Sequence, residues 1–170
     1  MFIVRKTIKT DYNYYLKAFK NNHFQLYGTQ NQNNIEEYVK SLVLVPYENV
    51  YRFIVEKDNK PIGFFHLHIK KNNIEISMGL FKNFNNIYGV YIVAISLQKA
   101  FNFTKDIKQV ISDIHKDNFA SQKIVISLGA KRKKYIDEQY SYYINRDEFP
   151  NKFFTKIINR IKKEGLQYEK

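Results

Sequence analysis

Apolar and polar positions change period several times along the chain, and each change marks an element. Phe2 to Ile8 alternates and predicts a strand. Asp11 to Phe24 carries aromatic residues at helical spacing, with Thr10 or Asp11 placed to cap it. Asn21 to Asn34 is polar, contains Gly28 and reads as a loop or broken helix. Ile35, Tyr38, Val39, Leu42 and Val43 recur at helical spacing up to Val45, where Pro46 ends the run because the residue before a proline disfavours the α region. Three strand-like runs follow: Val50 to Lys57, Pro61 to Lys70 and Ile74 to Phe81. They are separated by Asp58-Asn59-Lys60 and Lys71-Asn72-Asn73, which are turn sequences. Tyr88 to Phe103 returns to helical period, Ile107 to Ile114 to a strand, and Asn118 to Leu128 to a helix stopped by Gly129. Tyr135 and Tyr140 to Asn145 supply the last strands, expected to pair near the C-terminal edge. Pro150 to Lys163 closes as an amphipathic helix with Phe153, Phe154, Ile157, Ile158 and Ile161 on one side.

An antiparallel meander followed by alternating helices and strands predicts a mixed α/β (α+β) fold. Its sheet is mostly antiparallel and flanked by helices. The 170 residues suffice for one core and are too few for two ordinary domains. Residues 1–149 are expected to form that domain, and residues 150–170 a C-terminal amphipathic helix packed on it or extending it.

Composition narrows the class. Hydrophobic residues make up 44% and charged residues 26%, which is globular and not disordered. No apolar run reaches the length of a membrane span, and the first residues lack the pattern of a signal peptide, so a cytoplasmic location is expected. With no cysteine, neither disulfides nor cysteine-ligated metal are possible. The net charge of +12 attracts polyanions such as nucleic acid, an acidic protein, a nucleotide sugar or coenzyme A. Lys, Asn, Ile, Tyr and Phe are also the residues of AT-rich codons, and codon bias ranks ahead of nucleic-acid binding as the source of the charge.

The junction from the Ile74 to Phe81 strand through Lys82 to Asn86 into a helix is a general anion site, since unpaired N–H groups and the helix dipole both favour negative charge there. A second segment is more specific. Asn118-Phe119-Ala120-Ser121-Gln122-Lys123 opens a helix that closes at Leu128-Gly129-Ala130. This resembles the N-x-A-S-x-(R/K)…L-G-(F/A) element of the GNAT acetyltransferases, and within them the ribosomal-protein N-terminal acetyltransferase branch. Asn73-Ile74-Glu75-Ile76-Ser77 is similar to the A-E-I-G opening of that family's fourth strand, and Gly89 to Phe101 to its following helix. The resemblance covers residues 50–145 well and the N-terminal helices in outline.

The resemblance implies a GNAT fold and an acetyl-CoA-dependent transfer of an acetyl group directly to a primary amine, on a protein N-terminus, an amino sugar or a small amine. No metal and no membrane partner are expected, and the chain is expected to be a monomer or homodimer. It implies coenzyme contacts at Gly79, Leu80, Phe81, Asn85, Asn86, Ile87, Tyr88, Gly89, Val90, Asn118 and Ser121. Ser121 inherits protonation of the leaving thiolate, because the usual tyrosine position, four residues before Gly129, is Val125. Glu75 is the matched candidate for the base that deprotonates the amine, with an ion pair to a neighbouring strand as its plainer explanation. A backbone N–H near Leu80 would polarise the carbonyl oxygen. The pyrophosphate loop departs from the family's (R/Q)-x-x-G-x-(G/A). Phe84 replaces the leader and Ile87 the middle glycine, and only Gly89 remains. That departure supports an alternative, a GNAT-fold binding or regulatory module without turnover.

Other residues have plainer readings. His66 and His68 share one strand face and read as a satisfied pair. His115, near Asp113, is expected to be an ordinary loop histidine, and His23 is a candidate for acceptor contact only. Lys131-Arg132-Lys133-Lys134 and the basic residues of the last helix read as solvated faces. The many tyrosines, Tyr140, Tyr142 and Tyr143 among them, leave a basic nucleic-acid-binding protein as the least favoured class.

Overall fold

The computed structural model describes residues 1–20, 34–81 and 86–169, with the side chain of Asn86 excepted. Strand β1 (Phe2–Lys6) leads through a short 3-10 turn (Lys9–Asp11) into α1 (Tyr12–Phe19), and α2 spans Ile35–Leu44. The meander is β2 (Val50–Lys57), β3 (Lys60–Lys70) and β4 (Asn73–Leu80). Helix α3 (Asn86–Phe101), β5 (Gln109–His115), α4 (Phe119–Ser127), β6 (Lys131–Ile136), β7 (Gln139–Asn145), α5 (Lys152–Lys163) and β8 (Leu166–Tyr168) complete the order. Eight strands form one sheet in the order β6-β7-β5-β4-β3-β2-β1-β8.

Local chemistry sets most of these boundaries. Asp58 and Asn59 adopt φ of 50° and 61°, and the β2–β3 hairpin closes over them. Asn34, Asn118 and Asn151 cap α2, α4 and α5 by accepting the N–H of Glu37, Ser121 and Phe154. Val45 is extended ahead of Pro46 and ends α2. Gly129, at φ 104°, turns the chain out of α4.

The sheet is buried on both sides. Phe53, Val55, Phe65, Leu67, Ile74 and Ile76 point to one face and pack with α3, α4 and α5, where Ile92, Ile95, Val125, Phe154 and Ile158 join them. Ile54 and Phe64 point to the other face and pack with Tyr15, Phe19 and Val39 of α1 and α2. Gly63 lets α3 lie close to the sheet, since a Cβ there would fall 2.4 Å from both the Gly79 carbonyl oxygen and Ile92 Cδ1.

The structure corrects several expectations. Neither Thr10 nor Asp11 caps α1 through its side chain. The buried Asp11 carboxylate instead accepts the Ile8 N–H at 2.8 Å and a two-pronged pair of bonds from Arg5, each 2.8 Å. Arg5 is lifted above the ordinary arginine value chiefly by that bond to Asp11. Helix α3 starts at Asn86, so Ile87 and Tyr88 lie in its first turn, packed against the core. The basic run 131–134 is itself strand, β6, an exposed sheet edge whose lysines discourage further pairing. The short β8 has no counterpart in the sequence pattern; it pairs parallel to β1 at the opposite edge.

Candidate active site

The site begins with a defect in the sheet. Strands β4 and β5 run parallel, yet they pair only over Asn73–Glu75 and Gln109–Ile111. Beyond Glu75, β4 continues to Leu80 on its β3 side alone. Phe81 donates its N–H to Ile62 on the β3 side. Alternation along a strand therefore turns the N–H groups of Leu80, Met78 and Ile76 toward the gap where β5 has parted. A narrow apolar crevice between the strands is lined by Ile76, Met78, Val93, Leu97, Val110 and Tyr142.

Both parting strands lead to helix N-termini. β4 leads toward α3, whose first turn carries Ile87, Tyr88 and Gly89. β5 leads through His115–Asp117 to α4. Four N–H groups at each helix start have no partner within the helix, and the dipole adds positive potential. Gln122, buried on α4, fixes that start: its amide donates to the carbonyls of His115 at 3.0 Å and Lys116 at 2.7 Å, and accepts from the Tyr142 hydroxyl at 3.0 Å. Sequence reasoning passed over Gln122; an amide one turn inside an otherwise apolar helix face was the available signal.

Gly89 faces the neighbouring helix. A Cβ there would lie 3.5 Å from Ile124 Cδ1 and 3.9 Å from Leu80 Cδ1. Ser121 precedes Ile124 by three residues and so shares its face, one turn nearer the start of α4. Leu80, Gly89 and Ile124 thus meet where α3 and α4 pack, with Ser121 one turn back on the same face of α4; Val90 is half-buried. Asn118 stands at the same end, its amide oxygen engaged by the Ser121 N–H at 3.2 Å. The Phe81 side chain is elsewhere, buried against Tyr15 and Phe64 on the opposite face. Asn85 and His23 lie outside the described residues, as does the side chain of Asn86.

Glu75 is the last residue of β4 paired with β5, and it sits at the root of the gap. It is bound to Lys70 and stands opposite His68 on β3. His66 and His68 share the α1–α2 face, as their spacing implies. They belong to a chain of hydrogen bonds absent from the sequence reading. The buried Tyr15 hydroxyl lies 3.3 Å from Thr7 Oγ1 and 3.0 Å from His66 Nε2. Ser77 Oγ lies 3.4 Å from His66 Nδ1 and 3.5 Å from His68 Nε2. Burial, with Arg52 and His68 adding, pushes His66 down to about 3, so its ring is neutral near pH 7. Burial also lowers His68, against the opposing charge of Glu75. Tyr15 is raised by burial and stays protonated. His115 is the last residue of β5 and not the loop histidine expected: it pairs with Gln139 of β7, its Nδ1 accepts the Asp117 N–H at 3.2 Å, and Glu138 lies 3.8 Å from Nε2. Among the described residues no group of three or more His, Asp or Glu is placed to hold a metal, and no helix is long and apolar enough to cross a membrane.

A mixed sheet that opens between two parallel strands, with a helix start at each, is the fold of the GNAT acetyltransferases. The Acetyltransferase (GNAT) domain family matches residues 2–131, and the chain belongs to it. No curated protein matches the chain by sequence. Solved structures agree on the fold. A GNAT-family acetyltransferase from Bacillus anthracis is 20% identical, with TM-score 0.71 over 87% of this chain and 100% of that one. An aminoglycoside acetyltransferase in complex with coenzyme A is 13% identical, with TM-score 0.75 over 88% and 97%. Spermidine N-acetyltransferase from Vibrio cholerae, in complex with CoA and spermine, is 14% identical, with TM-score 0.69 over 86% and 96%. At these identities the likeness concerns the fold. None of the three is named as a ribosomal-protein N-terminal acetyltransferase, the branch suggested by residues 118–129.

Proposed function

We propose that this chain is an N-acetyltransferase that moves the acetyl group of acetyl-CoA directly to a primary amine. The observation that carries the reading is the parting of β4 from β5 after Glu75, with the starts of α3 and α4 at its mouth. An extended anionic cofactor suits such a place: pyrophosphate at the helix starts, the pantetheine arm between the strands, the thioester beside β4. Gly89 and Asn118 would contact the coenzyme, together with the backbone of Gly79, Leu80 and residues 85–90.

In this reading the amine enters from the α1–α2 face, where the exposed Ser77 and half-buried Glu75 of β4 lie past the cover of α1 and α2. Its nitrogen attacks the thioester carbon, the N–C bond forms and the C–S bond breaks. The N–H groups of Leu80 and its alternating neighbours stabilise the oxyanion. The amine proton leaves through Glu75 to water, and the thiolate takes a proton from Ser121, which regains one from water. Opening of the Glu75–Lys70 pair frees the carboxylate, which lies on the partly exposed end of β4.

The Asn118 to Gly129 segment supports the ribosomal-protein N-terminal acetyltransferase branch as the nearest kin, and with it a peptide amine as acceptor. The aminoglycoside and spermidine acetyltransferases of similar fold keep small amines equally in view. Ile87, in the position of the family's glycine and packed in α3, favours a second reading in which CoA binds without turnover. The test is thermal unfolding with and without acetyl-CoA, followed by thiol release over an amine panel. A rise in melting temperature with thiol release supports the enzyme, a rise alone supports the binding module, and neither effect defeats both.

A further inference from the structure

The α1–α2 face carries a feature that acetyl transfer as such does not need. Arg52 on β2 pairs with His66 on β3, and His66 with Ser77 on β4. Arg52, His66 and Ser77 therefore form a polar row across three strands, on one face, ending at the strand beside the gap. Two strand spacings, about 10 Å, separate its ends.

Arg52 differs from the other part-buried arginines. Arg5 is matched by Asp11 and Glu56. Arg146 donates to the carbonyls of Ile107, Phe101 and Thr104. Arg52 donates one bond from Nη1, to the Val45 carbonyl at 2.7 Å, and stacks over Tyr47. Among the described residues its Nε is buried with no acceptor and Nη2 makes no bond. No described carboxylate lies within ion-pair distance of it, and Tyr15, Tyr38 and Tyr47 are its electrostatic neighbours. Residues 21–33 and 82–85 contain neither Asp nor Glu, so they hold no counter-charge to offer. The bond to Val45 explains one N–H, at the C-terminal end of α2 where a cation suits the helix dipole. It leaves a fork of two donors unused, and a guanidinium fork matches a carboxylate or phosphate.

We propose that Arg52 is the specificity residue of the acceptor site, and that the acceptor is a primary amine whose own molecule bears a carboxylate or phosphate. With the anion on Nη2, the unpaired donor of Arg52 that is not buried, the amine lies toward the exposed Ser77 at the β4 end of the row, past His66 buried beneath Tyr15. The neutral His66 beside it neither adds a competing charge nor neutralises the anion. A polycationic acceptor is disfavoured here: the face offers Arg52, and the carboxylate nearest the row, Glu75, is occupied by Lys70. This assignment rests on the acetyltransferase reading and narrows it.

Two measurements test it. The first compares matched acceptors, glucosamine phosphate against glucosamine and aminohexanoate against aminohexanamide, with wild type, Arg52→Gln and Arg52→Lys. The anionic member of at least one pair should have the lower KM. Arg52→Gln should raise that KM roughly 10–100-fold, the range for a lost charge-assisted bond, and leave the neutral partner's KM unchanged. Arg52→Lys should recover part of the difference. The two pairs distinguish phosphate from carboxylate. Equal effects on both members, as from simple loosening of α2, overturn the proposal, as does preference for spermidine. The second measurement is independent of turnover: NMR of the Arg52 Nε–H while inorganic phosphate is added to CoA-saturated protein. A saturable shift supports the site, and its absence at millimolar phosphate overturns it. Should no amine be acetylated, the acetyltransferase reading fails on the first measurement while the second still decides Arg52.

Discussion

Ser121 and Asn118 stand three residues apart and carry different duties. Asn118 caps α4 through its amide oxygen, so Asn118→Ala should cost about 1 kcal/mol of stability and raise KM for acetyl-CoA. Ser121→Ala should leave stability and KM nearly unchanged and lower kcat by roughly 10²-fold, the low end for general acid catalysis. Chemical denaturation and steady-state kinetics of the two variants check this; an unaltered kcat in Ser121→Ala removes the acid role. His66 sets an acid limit. An unfolded His66 takes up a proton as pH falls through 6.5, whereas the folded ring resists until about 3. Between those values the unfolded state binds more protons, so stability falls with falling pH, by up to about 1.4 kcal/mol per pH unit from this residue. His66→Asn should flatten the unfolding free energy measured between about pH 6.5 and about pH 4; an equally steep profile places the acid sensitivity elsewhere.

At the scale of elements, the first turn of α3 is the critical piece. An alanine Cβ at Gly89 meets only ordinary contacts with Ile124 and Leu80, and a helix gains about 0.5–1 kcal/mol from Gly to Ala. Gly89→Ala should therefore raise the melting temperature of the free protein and yet weaken CoA binding, if the phosphates approach the backbone at Gly89 as proposed. Calorimetric titration with CoA checks it, and undiminished affinity would mean the phosphates bind away from Gly89. The elements themselves were legible where chemistry is local. Asp58-Asn59 announced a hairpin, and Pro46 and Gly129 announced helix ends. Elements set by distant contacts were not. The three residues of β8 form a strand because β1 offers an edge, and 131–134 is strand because β7 pairs with it, while its side chains are all exposed. The same distinction divides the site. Glu75, Gly89, Asn118 and Ser121 were visible as motif positions. Gln122, Tyr15 and Arg52 act through partners 6 to 51 residues away or through the lack of one, which no spacing along the chain records.

Over the whole molecule, one sheet keeps two chemistries apart. In the proposed reading the α3–α4 face offers helix starts to an anionic cofactor, and the α1–α2 face offers histidines, tyrosines and an arginine with no carboxylate partner among the described residues. The net charge of +12 draws anions to both. KM for acetyl-CoA should accordingly rise with ionic strength in initial-rate assays, since exposed charges are screened by salt; a salt-independent KM would leave the excess charge as composition alone. The central claim is acetyl transfer to an amine, and mass spectrometry of an amine panel incubated with acetyl-CoA and the protein addresses it most directly. The account predicts that at least one primary amine gains a single acetyl group, with one free CoA thiol released for each and no acetylated protein intermediate. Intact acetyl-CoA and an unmodified panel, from protein shown to bind the coenzyme, would contradict it.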